Sequence, residues 1–170
     1  VYYHGYLKAE ELAEKKLPLD ANPRKPSPTK VVRIMQKTLQ TQPDDFHHLN
    51  NGMTIIASSV EFNETSKELT ITFSKPIGNY GDGICNGGHT YYAIEQYSAP
   101  KMPDALVLFE ILVLDNELSE EERLIKLKSI ASARNAHNEL DSSTISNFLE
   151  HYEEFKKGLD TKSIYVKWFE

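Results

Sequence analysis

Cysteine occurs once in this sequence of 170 residues, at Cys85. A single thiol excludes an intramolecular disulfide framework and fits a reducing compartment, so the expected location is cytoplasmic. An uninterrupted apolar run of about twenty residues, the length a membrane-spanning helix needs, is also missing, and no membrane partner is expected. Basic charge is in deficit: 19 Lys and Arg stand against 25 Asp and Glu, a formal net charge of -6. That balance argues against a broad electrostatic nucleic-acid footprint and leaves room only for a local basic cluster. Neither a Walker A loop nor a G-x-G-x-x-G fingerprint is present. The histidines His47, His48, His89 and His137 lack the spacing of a zinc site, and no cysteine or carboxylate completes a set. Paired carboxylates with a lysine at nuclease spacing are absent too, which makes a nuclease the poorer alternative. The first residues, Val1-Tyr2-Tyr3-His4-Gly5, resemble neither a signal peptide nor a start, and the chain is expected to be a piece of a longer protein.

What is present is an ordinary globular composition, 39% hydrophobic and 26% charged, enough to bury a core. Residues 1–28 read as an N-terminal arm with a proline-rich approach: a short Glu- and Lys-rich solvated helix over 9–16, then Pro18, Pro23, Pro26 and Pro28, which forbid regular structure. Thr29 can cap a helix over 29–41, with Val32, Met35 and Leu39 at helical spacing. Residues 44–52 read as a turn ending in Asn51-Gly52. The segments 53–62 and 69–74 form a hairpin around the 63–67 loop. The run 106–114, LVLFEILVL, reads as a strand buried on both faces. Ser119 and Glu122 form a capping box for a helix over 119–134. A further helix over 142–157 carries the stripe Ile145, Phe148, Leu149, Tyr152 and Phe155, more in keeping with a core than with a partner surface, and 161–170 begins a following segment with a strand-like pattern. The expectation is an α/β domain over 29–160, a small mixed sheet flanked by helices.

The stretch Gly81-Asp82-Gly83-Ile84-Cys85-Asn86-Gly87-Gly88-His89-Thr90 organises this pattern. It is a short apolar strand over 81–85 that ends in a glycine turn and passes into a helix over 88–97. Unpaired N–H groups of Gly88, His89 and Thr90 at the helix start, with Gly87 and Gly88 permitting close approach, suit a phosphate. Taken alone, such a turn is more commonly only a tight strand-to-helix connection. Asp82 could hold magnesium beside phosphates, act as a base, or simply form the turn. Cys85 reads as a small buried residue rather than a nucleophile. A second candidate is Arg134-Asn135-Ala136-His137-Asn138, where an arginine fork and two amides suit phosphate, base or ribose, or else cap a helix end.

Three segments carry a family resemblance. Phe46-His47-His48-Leu49-Asn50-Asn51-Gly52-Met53-Thr54-Ile55-Ile56-Ala57 resembles the "NNGITI" signature of the abortive-infection phage-resistance (AIPR) proteins. Ile84-Cys85-Asn86-Gly87-Gly88-His89-Thr90 is similar to their "VNGxQT" segment, and Ala133-Arg134-Asn135-Ala136-His137-Asn138 to their "ATNxQN" segment, each with histidine where glutamine is usual. More distantly, Asn22-Pro23-Arg24, the 86–91 loop and 135–138 resemble segments of the ParB/sulfiredoxin-like (DGQHR-type) fold, whose strand-to-helix loop holds nucleotide phosphates. Here His89 and Thr90 stand where that loop carries arginines. The resemblance implies a nucleotide- or nucleic-acid-binding domain of a bacterial anti-phage defence protein. Asn86, Gly87, Gly88, His89, Thr90, Arg134, Asn135 and Asn138 would bind phosphate or nucleotide, with Asn50, Asn51, Arg24 and Asp82 lining the pocket. The cofactor stays open, a nucleotide with magnesium being the candidate; so do hydrolysis and homo-oligomerisation in the full-length protein. The alternative of another class is a non-catalytic sensor or scaffold.

Overall fold

The most apolar strand finds a partner on each side. In a computed structural model, which describes residues 1–97 and 105–136, Leu106–Val113 (β6) is an inner strand of a four-stranded sheet. Its neighbours are Tyr2–Lys8 (β1), antiparallel, and Met53–Ala57 (β2), parallel. The other edge is Gly83–Asn86 (β5), antiparallel to β2. The expected 53–62 strand breaks at Ser58: only its second part, Ser59–Asn63 (β3), forms the hairpin, with Glu68–Thr72 (β4) as a separate two-stranded sheet, because β2 is already paired on both sides. The observed class is α/β, with both sheets and the helices described next.

The helices cover the sheet on both faces. Ala9–Ala13 (α1), Lys30–Thr41 (α2), Phe46–Leu49 (α3) and Gly88–Glu95 (α4) lie on one side. There Leu12, Leu39, Phe46, Tyr91 and Ile94 pack with Met53, Ile55, Ile84, Val107, Phe109 and Ile111. Glu120–Asn135 (α5) lies on the other, packing Leu127 and Ala131 on Ile56, Cys85 and Leu114. The alternation of Ile55 with Ile56 and of Ile84 with Cys85 between the two cores is the two-residue period of a strand.

Local signals set the helix starts. The Thr29 hydroxyl accepts the Val32 N–H, and the reciprocal Ser119 and Glu122 box starts α5. Several expectations need correction. Residues 2–8, read as part of an arm, form an edge strand, because β6 exposes ladder hydrogen bonds that β1 satisfies along its length. The Glu- and Lys-rich helix is α1, buried on one side through Ala9 and Leu12. The turn over 44–52 contains a short 3-10 helix, Pro43–Asp45, and α3, which drives Phe46 into the core. Strand β6 buries Val107, Phe109 and Ile111 fully, whereas Leu106, Leu108, Glu110 and Leu112 on its other face are only half-buried. The helix over 142–157, the 161–170 segment, His137 and Asn138 lie outside the described residues.

Candidate functional site

Strand β5 delivers the corner. Asn86 ends it, Gly87 follows at φ 82°, and α4 begins at Gly88. Gly87 meets two demands at once: its φ lies in the left-handed region, and a Cβ there would collide with the Gly52 carbonyl oxygen. No side chain caps α4, and its first hydrogen bond runs from the Tyr91 N–H to the Gly87 carbonyl at 3.1 Å. The N–H groups of Gly88, His89 and Thr90 precede that bond and point out of the helix end.

Three asparagine-bearing segments converge here. The Asn86 amide donates to the Arg134 carbonyl at 2.6 Å, and the Asn135 amide donates to the Cys85 carbonyl at 2.7 Å and the Ala131 carbonyl at 2.8 Å. This reciprocal pair ties the end of β5 to the end of α5. From the other side Asn50 Oδ1 accepts the Gly52 N–H at 2.8 Å and the Thr90 hydroxyl at 3.1 Å. Its Nδ2 is shielded from solvent and has no acceptor among the described residues.

A cleft of about 670 Å³ opens between these segments and α2, within the roughly 300–1,000 Å³ of small-molecule sites. Asn50, Asn51, Asn86, Gly87, Gly88, His89, Thr90, Asn135 and Arg24 all line it. Missed from sequence were Asn22, Thr29, Val31, Met35, Leu49 and Thr54, which also line it. Asn22 lies so close to Gly88 that a Cβ there would strike its amide nitrogen. Its position just before Pro23-Arg24 was the available signal. Val31, Met35 and Leu49 make an apolar wall; Met35, which helical spacing groups with Val32 and Leu39, packs against the core and faces the cleft as well.

Two residues expected at the site sit elsewhere. Asp82 does not line the cleft: its carboxylate is buried against Arg123 at 2.8 Å and accepts the Ser74 N–H at 2.8 Å, so it braces α5. Arg134 lines an adjoining recess of about 300 Å³ with Leu108 and Glu110, and its guanidinium pairs with Glu110 at 3.2 Å. Asn51, Thr54 and Asn86 are shared by recess and cleft.

The electrostatics of the cleft are one-sided. No Asp or Glu is among its described lining residues, and Arg24 makes no ion pair among the described residues. Burial, and then the Arg24 charge, lower the pKa of His89 from the usual 6.5, which keeps the imidazole neutral at pH 7. Burial pushes the Cys85 thiol up to about 12, so it holds its proton and is no nucleophile. Amide, hydroxyl and backbone donors with one arginine fit an anion. With Asp82 engaged elsewhere, these described residues do not offer magnesium a carboxylate.

A family model described as AIPR protein matches residues 19–169, a span that contains every described residue of the cleft. The chain belongs to the AIPR family. Neither a curated protein nor a solved structure matches it. The AIPR family is one of abortive-infection, phage-defence proteins, and all three of its motif-like segments in this chain contribute to the cleft: Asn50 and Asn51 from the first, residues 86–90 from the second and Asn135 from the third.

Proposed function

We propose that this AIPR domain binds a nucleotide or nucleic-acid phosphate at the 86–90 corner, as the ligand-binding part of an anti-phage defence protein. One observation carries the reading: in a chain of net charge -6, the cleft at the start of α4 has no acidic residue among its described lining, while it gathers Arg24, three helix N–H groups and amide side chains. An anion is stabilised by such donors at a helix N-terminus. The shielded Asn50 Nδ2, which lacks an acceptor among the described residues, adds a donor in the same wall. Val31, Met35 and Leu49 give a nucleobase an apolar surface opposite the phosphate donors.

Thermal-shift screening against nucleotides, with and without magnesium, tests this. A ligand at a hundred times its dissociation constant stabilises the fold by about 2.7 kcal/mol. Arg24→Glu, which places a carboxylate among the donors, abolishes the shift while the unliganded melting point holds. If no nucleotide shifts the melting point, the reading fails.

A scaffold reading draws on the exposure of Val31 (53%), Ile34 (55%) and Leu49 (62%), which could meet a partner protein. Light scattering discriminates: this second reading is abandoned if the chain is a monomer that gains no partner.

A further inference from the structure

The face of the sheet next to the cleft carries a row of rings with no role so far. Along the edge strand β1, Tyr2, His4 and Tyr6 alternate with Tyr3, Gly5 and Leu7, and so share one face. Their cross-strand partners are Leu112, Glu110 and Leu108. Leu108 and Glu110 line the recess beside the cleft, so the rings stand on the recess side of the sheet. On that side α5 packs against Ile56 and Cys85 of β2 and β5, while Tyr2 and Tyr6 remain 48% and 56% exposed. Tyr2 and His4 have ring centroids 5.8 Å apart, and Tyr6 meets His47 edge-on at 5.4 Å.

The charge around this row suits a polyanion. Strand β1 contains no acidic residue and ends in Lys8. The carboxylate of the recess, Glu110, accepts the Tyr2 hydroxyl at 2.7 Å and the Thr54 hydroxyl at 3.2 Å and is paired with Arg134. Asn51, Thr54 and Asn86, shared by recess and cleft, make the surface continuous from the phosphate corner to the rings.

We propose that the Tyr2, His4 and Tyr6 face of β1 is a stacking platform for single-stranded nucleic acid whose phosphate occupies the Asn86 corner. This rests on the phosphate reading of the cleft and extends it from a nucleotide to a strand. Exposed aromatic rings on a sheet face accept bases without regard to sequence, because every base has a π-face.

Fluorescence anisotropy with short labelled oligothymidylate (DNA) and oligouridylate (RNA), set beside the mononucleotide thermal shift, tests the platform. At least one oligonucleotide binds more tightly than its mononucleotide. Tyr2→Ala and Tyr6→Ala each weaken that binding by about tenfold, and both leave the mononucleotide shift unchanged. Tyr2→Phe keeps the ring and keeps the affinity, which separates stacking from loss of the Glu110 hydrogen bond. Circular dichroism melting checks that each variant is folded. An oligonucleotide no tighter than the mononucleotide, or one indifferent to both alanine substitutions, overturns the platform and leaves the cleft reading standing. If no mononucleotide shifts the melting point either, both fall. A protein partner displaced by the same substitutions, with no nucleic acid bound, also overturns the platform.

Discussion

Asp82 has a side chain with no solvent exposure, and its charge is acceptable there only because Arg123 meets it at 2.8 Å. Removing one partner of a buried ion pair leaves the other charge uncompensated, which costs about 3–5 kcal/mol. Asp82→Asn should therefore lower the stability measured by urea unfolding by that amount and loosen α5 from β5. His89 gives a second prediction. Its pKa is lowered in the folded chain, so the folded state binds fewer protons than the unfolded state as pH falls. Stability is undiminished above pH 6.5, the unfolded value, and declines as pH drops from there through the folded value. In an NMR titration the His89 midpoint should lie below 6.5, rise in Arg24→Ala, and rise again when an anionic ligand binds. A midpoint that ignores the ligand would place the anion away from this ring. These roles were not legible in sequence: an Asp between two glycines reads as a turn residue, and its partner Arg123 lies 41 positions away.

The junction of β5 and α4 is the element on which the cleft depends. Gly87→Ala would force a side chain into the left-handed region, at about 1–2 kcal/mol, and drive a methyl group into the Gly52 carbonyl. The expected outcome is a loss of stability above that range together with loss of nucleotide-induced thermal shift, since the first segment is pushed away from the second. Much of this element was readable, because Gly-Gly at the end of an apolar run is a local instruction. The same holds for α2 and α5, whose starts depend on Thr29 and on Ser119 with Glu122 a few residues apart. Strand β1 was not readable. Its three tyrosines favour a strand, but Gly5 in the middle weakens that preference, and the partner strand β6 lies about a hundred residues away in the chain.

At the scale of the whole molecule, the contrast between an acidic chain and a cleft with no acid among its described lining predicts an electrostatic signature. Nucleotide affinity, followed by titration calorimetry, should fall as salt is raised, and Arg24→Ala should flatten that dependence. An affinity indifferent to salt would mean that apolar contacts with Val31, Met35 and Leu49 dominate. Helix starts, the hairpin, the apolar strand and the 86–90 corner were written in the order of the residues, because each rests on groups within a few positions of one another. The meeting of Asn50, Asn86 and Asn135 was decided only in three dimensions. So were the diversion of Asp82 and Arg134 into ion pairs, and the apolar wall contributed by α2. Sheet order β1-β6-β2-β5 brings together segments far apart in the chain, and which side chains remain available to a ligand depends on those long-range partners rather than on local preference.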